Sequence, residues 1–407
     1  MDVTIIGAGI AGLTLALDLH RVGIGSHIYE AAPELAPIGV GINLLPHCTA
    51  VLADLDLDDR LAEVAVTTAE SAFYNGFGQF IYAEPAGRAA GHAHPQYSIH
   101  RGELHAVLLD AVRERVGAER IHTGHTCLGV DEQDDEGVML RMASEGREFV
   151  IRADVVVACD GVHSRIRKQM HPAEGDPLYS GVTMWRGTTV MPPFLTGASM
   201  VRAGWLSTGK MVIYPIRDLG DGSQLVNWVA EIETPRHIER DWNRLGSVDD
   251  FADAFADWTF DWLDVPAMIR GADQILEYPM VDQDPLDHWT EGLVTLMGDA
   301  AHPMVPRGSN GAGQAILDVR CLADLLADDI EPAAALHAYE AKRLPFTAHV
   351  VRTNRTNPPD AILREVFDRT GNRPFDNLDD VIGRDELRRI ADNYRRVVGI
   401  APQATAS

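Results

Sequence analysis

Residues 3–30, "VTIIGAGIAGLTLALDLHRVGIGSHIYE", constrain the chain more than any other stretch. A β-rich run from Val3 to Ile6 leads into Gly7-x-Gly9-x-x-Gly12. Apolar residues at Leu13, Leu15, Ala16, Leu19 and Val22 then predict a helix, and a second strand follows that ends on Glu30. In such a unit Gly7 permits the tight turn, Gly9 lets backbone approach a pyrophosphate, and Gly12 lets helix and strand pack closely. The phosphate then sits at the helix N-terminus. Glu30, eighteen residues after Gly12, stands where a carboxylate accepts hydrogen bonds from a ribose diol. The unit predicts a bound dinucleotide and leaves FAD and NAD both open.

A chain of 407 residues exceeds the roughly 250–300 at which single cores stop growing, so a second domain is expected. Hydrophobic residues at 46% and charged residues at 23% are those of an ordinary globular protein. Lys and Arg total 35 against 60 Asp and Glu, a formal charge of −25 without any basic run, which argues against nucleic acid or an anionic membrane as partner. A small anionic substrate stays open, because one local arginine outweighs a diffuse field. Cys48, Cys127, Cys159 and Cys321 are widely spaced, with no Cys-x-x-Cys and no histidine at ligand spacing. They read as free thiols of a reducing, cytoplasmic setting, not as disulfides or a metal site. The N-terminal apolar stretch has no basic region before it and reads as neither signal peptide nor membrane span.

Further along, residues 103–116 have the spacing of an amphipathic helix, and strands are expected at 121–130, 137–142, 147–152 and 154–158. The last, "DVVVA", is apolar throughout and suits the centre of a covered sheet. From about 180 to 285 alternating and β-branched runs separated by Gly, Pro and Asp predict a mostly antiparallel sheet. Phe251, Phe255, Trp258 and Trp262 follow at helical spacing. Trp185, Arg186, Trp205, Tyr214 and Trp228 alternate on these strands, so some face a cavity and others the opposite side. Arg186 suits a substrate carboxylate or, equally, a sheet edge.

Two more stretches bear on the cofactor: "CDGVHSRIR" (Cys159–Arg167) after the buried strand, and "MGDAAHP" (Met297–Pro303) after the strand "GLVTLM". Gly7-x-Gly9-x-x-Gly12 with Glu30, Asp160-Gly161-x-x-Ser164-x-x-Arg167, and Gly298-Asp299-x-x-His302-Pro303 together resemble the three-part signature of the group A, single-component FAD-dependent aromatic hydroxylases. These enzymes have the p-hydroxybenzoate hydroxylase fold, and the motifs stand in that family's order over about residues 1–350. "PRGSNGAGQAILD", "MWRG" and the tail "RTNPPDAILREVF" resemble more closely the branch of phenazine hydroxylase-like and salicylate hydroxylase-like monooxygenases. Many members carry Gly-Gln-Gly-x-Asn at the turn where this chain has Ser309-Asn310-Gly311-Ala312-Gly313.

The resemblance implies an α/β fold: a Rossmann-like FAD-binding domain (1–75, 100–178 and 286–350), an interleaved substrate domain of mostly antiparallel sheet plus helices (76–99 and 179–285), and a C-terminal helical segment (351–407). It implies noncovalent FAD held by Gly7, Gly9, Gly12, Glu30, Arg101, Asp160, Asp299, Gly311 and Ala312. Asp299 would meet the ribityl hydroxyls, and the Gly311 and Ala312 amides, opening a helix over 311–327, would meet the pyrimidine edge, with Pro306 helping to position the flavin. His302 is implied as a structural partner of the turn and Asp160 as a holder of backbone and water; no catalytic base is identifiable. No second glycine fingerprint occurs between 160 and 407, and group A enzymes also lack a dedicated NAD(P)H domain. The implied reaction consumes NADH or NADPH and O2, and a flavin hydroperoxide hydroxylates a small aromatic or heteroaromatic substrate, phenazine-like or a hydroxy- or amino-aromatic acid. The alternative keeps the fold and changes the flavin chemistry to N-hydroxylation, Baeyer-Villiger insertion, or oxidase or reductase action. Substrate contacts are sought at Trp185, Arg186, Trp205 and Tyr214. The tail, with helical spacing at Ile362, Val366 and Phe367 and at Leu387, Ile390 and Tyr394, is expected to pack over the nucleotide domain of a monomer or homodimer.

Overall fold

The computed structural model describes residues 1–36, 39–134, 137–235, 245–356 and 358–397. The "APQATAS" end and the side chain of Tyr394 lie outside the described residues. Two sheets organise the molecule. The first runs, in spatial order, Thr290–Glu291, Val294–Leu296, Val155–Ala158, Asp2–Ile6, Gly25–Tyr29 and Ile121–His122. Val3 lies opposite Val155 and Val156 opposite Val294 in parallel register. Val155–Ala158 is buried at every position, which is why its sequence does not alternate. Helices Ile10–Arg21, Arg101–Val112 and Gly311–Ala327 bury their Leu, Ile and Val faces in the same core. An antiparallel meander (Thr126–Asp134, Gly137–Ser144, Arg147–Ala153) adds Val138, Leu140 and Met142. Each such side chain contributes about 1.5–3 kcal/mol on leaving water. All four cysteines are free, and burial pushes the Cys48 thiol up to about 12 and that of Cys127 to about 11.

The second sheet has seven strands in the order Ile275–Asp282, Leu178–Met191, Gln224–Glu233, Gly209–Asp218, Ser199–Trp205, Glu70–Tyr74 and Phe80–Pro85. All pairs are antiparallel except Ser199–Trp205 with Glu70–Tyr74. Glu70–Tyr74 therefore belongs to this sheet, although the sequence reading grouped it with the first unit. Its parallel partner lies some 130 residues onward, a pairing that local pattern does not disclose.

Three further expectations are corrected. The stretch bearing Phe251, Phe255, Trp258 and Trp262 is not a helix but short 3-10 turns (Val248–Asp250, Ala252–Phe255) followed by a strand pair, Thr259–Phe260 with Leu263–Asp264. Aspartates, Thr259 and aromatic residues are weak helix formers, and the rings gain more by edge-to-face contact, as between Phe255 and Trp258 at 5.0 Å and 81°. The amphipathic helix at 103–116 spans Arg101–Val112 and ends in a π-turn, Arg113–Gly117. The tail helices Ala361–Thr370 and Arg384–Val397 do not pack over the nucleotide sheet. Ile362, Leu363, Val366 and Leu387 bury themselves against Phe73 and Ile81 of the large sheet, whose outermost strands offer an apolar surface.

Candidate active site

The glycine loop is fixed by backbone contact. Gly7 has φ +103°, and a Cβ there would lie 2.5 Å from the Cys159 carbonyl oxygen; one at Gly12 would lie 2.0 Å from that of Gly7. A Cβ at Gly9 would meet nothing within 4 Å, so the loop is closed behind and open in front. Glu30, at the end of Gly25–Tyr29, accepts from the Ala8 and Ala32 amides, both at 2.8 Å, and stands beside the loop. His105 bonds the Ala8 carbonyl oxygen through Nε2 at 2.8 Å, tying the helix that Arg101 opens to the same loop. Arg101 itself is exposed.

The other two motifs hold each other. Ser164 Oγ accepts from the Arg167 amide at 3.0 Å and caps helix Arg165–Met170. The buried Arg167 guanidinium donates to the carbonyl oxygens of Ala300 (2.8 Å) and Ala301 (2.9 Å) and pairs with Glu174, so the second motif carries the third. Behind the third motif, His302 Nε2 lies 2.6 Å from Asp318 Oδ2, and Arg343 Nε donates to Asp318 Oδ1 at 2.7 Å. Burial alone would raise the Asp318 pKa; His302 and Arg343 overcome it and hold the carboxyl below the usual carboxylate range. His302 is thus occupied as a partner of the motif helix Gly311–Ala327. Asp318 and Arg343 escaped the sequence reading; the available signal was a lone carboxylate at a buried position of an apolar helix.

Along the carboxyl ends of the central strands these pieces form one row. Asp160 follows Val155–Ala158, and its Cα would lie 3.1 Å from a Cβ on Gly7. Its Oδ2 accepts from the Arg165 amide at 3.2 Å, while Oδ1 is buried with no hydrogen-bond partner, and burial raises its pKa. Asp299 is exposed, with Oδ1 4.0 Å from where a Cβ on Gly311 would stand, and outside the chain next to Gly311 no other atom comes that close to that Cβ. The motif helix begins at Gly311 without a side-chain cap, leaving first-turn amides to a ligand of negative character. Gly308 (φ +71°) and Ser309 (φ +60°) turn the chain between exposed Pro306 and that helix. Open glycine backbone, an uncapped helix start, an exposed carboxylate and an orphaned carboxylate oxygen fit an extended dinucleotide with a flavin at the motif helix.

Beside Pro306–Ser309 lies a partly open pocket walled by the large sheet. Of the sequence candidates, Arg186 and Tyr214 line it. Trp185, the neighbour of Arg186, points to the other face and stacks on Phe251 at 5.0 Å and 15°, as strand alternation demands. Trp228 is fully buried on that face too, donating Nε1–H to Thr189 Oγ1 at 3.1 Å, and Trp205 packs beside the tail cluster. Arg186 and Tyr214 both donate to the Gly41 carbonyl oxygen, at 2.7 and 2.8 Å. Unforeseen were Arg202, Lys210, Glu231 and Asp360, nearly solvent-free on the same wall. Lys210 Nζ donates to Glu231 Oε2 at 2.9 Å and to Asp360 Oδ2 at 2.5 Å, and Arg202 Nε lies 3.2 Å from Asp360 Oδ1. A second open pocket shares Met200, Arg202, Gly308 and Ser309 with the first.

Three interlocked motifs set against a side-chain cavity form the frame of an FAD-binding enzyme, and the relatives of this chain are hydroxylases and monooxygenases of that kind. Residues 1–354 match the model of the FAD binding domain family FAD_binding_3, and the chain belongs to that family. It is 42% identical over 367 residues to phenazine 1,6-dicarboxylic acid hydroxylase PhzS of Lysobacter antibioticus, covering 87% of this chain and 89% of that one. It is 36% identical over 362 residues to 3-amino-4-hydroxybenzoate 2-monooxygenase PtmB3 of Streptomyces platensis, covering 87% and 86%. In fold it resembles Klebsiella pneumoniae HpxO complexed with FAD and uric acid, at TM-score 0.79 and 22% identity over 99% of this chain and 97% of the other. Among the described residues no helix is long and apolar enough to cross a membrane.

Proposed function

We propose that the protein uses noncovalent FAD, NAD(P)H and O2 to hydroxylate a small aromatic or heteroaromatic ring that bears a carboxylate. One observation carries this reading: four cationic side chains, Arg186, Arg202, Lys210 and Arg307, face only two carboxylates, Glu231 and Asp360, on the cavity wall of a chain whose formal charge is −25. Arg186 has no carboxylate partner among the described residues, and its Nε is buried without a hydrogen bond. A half-desolvated guanidinium is stabilised when a ligand anion completes it, and its planar fork matches a carboxylate. The names of the two relatives, both acting on ring acids, support the same class.

In this reading the first sheet is the cofactor unit and the second the substrate unit. Gly7, Gly9 and Gly12 admit the pyrophosphate, Glu30 takes the ribose, Asp299 the ribityl chain, and the Gly311 and Ala312 amides the pyrimidine edge, where a helix N-terminus stabilises negative charge. Arg101 reaches the cofactor from its helix start, Asp160 holds backbone and water, and Pro306 shapes the turn above the cavity. FAD, when bound, supplies the reducing and oxygen-activating chemistry, and the protein supplies placement and exclusion of water. Arg186 anchors the substrate carboxylate and so sets which ring edge faces the cofactor.

The test is a screen of benzoates, aminobenzoates, hydroxynicotinates and phenazine carboxylates for stimulated NAD(P)H oxidation, with product mass read under labelled O2. A true substrate should accelerate flavin reduction in stopped flow and gain one labelled oxygen atom. Oxidation that no aromatic acid stimulates, or a product without that oxygen, rejects the reading.

A further inference from the structure

We propose that Asp360 accepts a hydrogen bond from a hydroxyl or amino group on the substrate ring, so that the cavity selects ring acids carrying such a donor as well as a carboxylate. This deepens the substrate class proposed above and rests on it. Asp360 belongs to the C-terminal segment. Pro358 and Pro359 precede it and fix the approach of the chain, and helix Ala361–Thr370 begins directly after it. Its carboxylate does not cap that helix; it enters the cavity wall of a sheet more than a hundred residues earlier in sequence.

The two oxygens of that carboxylate differ. Oδ2 takes the Lys210 ammonium. Oδ1 lies 3.2 Å from Arg202 Nε as an ion pair, yet it is solvent-free and accepts no hydrogen bond. An ionised carboxylate offers about four acceptor positions, and a buried acceptor left unmade carries its full desolvation cost. Buried ion pairs are weak devices for stability, since packed apolar side chains of the same volume do as well or better. A quartet of charges at the wall of a ligand cavity, with one carboxylate oxygen left without a hydrogen bond, is therefore better explained by a ligand than by folding.

The chemistry follows from the charges. Lys210 and Arg202 keep Asp360 ionised, and Arg307 adds to the same field. Such a carboxylate holds a ring O–H or N–H by its hydrogen without removing it. That draws electron density toward the ring oxygen or nitrogen and so into the ring, which favours attack by an electrophilic oxygen. Arg186 at one position and Asp360 at another give the ring two polar anchors, which fixes the carbon presented to the cofactor.

The experiment uses the FAD-loaded full chain and matched pairs of ring acids: 4-hydroxybenzoate with 4-methoxybenzoate, 3-aminobenzoate with 3-(dimethylamino)benzoate, and a hydroxylated phenazine carboxylate with its methyl ether. Dissociation constants are read from the change in flavin absorbance. The wild type should bind the donor-bearing member of at least one pair about tenfold more tightly. Asp360→Asn and Asp360→Glu should reduce that ratio to below about threefold, any uniform change in carboxylate affinity cancelling within each pair. Glu231→Gln, which removes a charge from the same quartet, should preserve it. FAD content and melting temperature identify any variant that fails to fold, and the wild-type ratio decides even then. Equal binding of both members by the wild type, or equal loss of discrimination in Asp360→Asn and Glu231→Gln, overturns the proposal while leaving the hydroxylase reading intact. If no ring acid perturbs the flavin or stimulates NAD(P)H oxidation, the hydroxylase reading falls and this proposal falls with it.

Discussion

The cofactor side and the cavity side of this molecule are built from different materials. On the cofactor side the constraints are backbone: a Cβ on Gly12 would sit 2.0 Å from a carbonyl oxygen, and Arg167 spends its donors on the Ala300 and Ala301 carbonyls. On the cavity side the constraints are side-chain charges, one on each of four strands, with Arg307 of the turn and one tail residue. Backbone constraints tolerate little change, because no neighbour can yield. Side-chain charges can be exchanged in pairs without moving a strand. The first arrangement suits a cofactor that never varies, and the second suits a substrate that differs among relatives of one fold.

That contrast breaks most sharply at Gly12. Gly12→Val should yield protein without bound FAD, read as absent flavin absorbance after purification; a yellow, active variant would show that the loop is not held by backbone. Next comes the support behind the third motif. Asp318→Asn leaves the Arg343 charge buried beside a neutral partner and should cost about 3–5 kcal/mol in urea unfolding. An acid test follows at His47, whose two ring nitrogens are buried without partners and whose Nε2 would lie 3.5 Å from a Cβ on Gly313. Burial, then the Arg343 and His92 charges, lowers its pKa from 6.5 to about 4. Between those values the unfolded chain binds a proton that the folded chain refuses, so stability is whole above about 6.5 and falls as pH drops toward 4. At pH 5 the loss should be about 2 kcal/mol relative to pH 7.5, and His47→Gln should remove that slope. The smallest effect belongs to the cavity. Arg186→Met should retain FAD and fold and weaken ring-acid binding about tenfold, or about 1.4 kcal/mol; lost flavin instead would erase the division between the two sides.

The same division explains what could be read from the sequence. Glycines at a required φ or a close approach leave a fixed spacing, so Gly7 and Gly12, the Asp160 and Asp299 turns and the helix Gly311–Ala327 were legible in order and extent. The cavity depends on strand pairings and on which face of a sheet is covered, and neither shows locally. Alternation established that Trp185 and Arg186 oppose each other but not which one faces inward; the aromatic turns around Phe251 settle that by covering Trp185. Lys210, Glu231 and Asp360 lie up to 150 residues apart and carry no spacing at all. The tail was legible as helices, while its docking surface depended on Phe73 and Ile81, strand residues placed by a distant parallel partner.

The register of the first sheet also bears on how the protein is made. Val3 waits for Val155, and Val156 for Val294, so the central strands close only after most of the chain has left the ribosome. At about 5–20 residues per second, translation reaches Val294 roughly 15 s to a minute after Val3. Until then the apolar strand Asp2–Ile6 can pair on one side with Gly25–Tyr29, and its other edge is open to a chaperone or to a second nascent chain. Slowing translation before Val155 should therefore raise aggregation of this protein more than slowing it after Arg343.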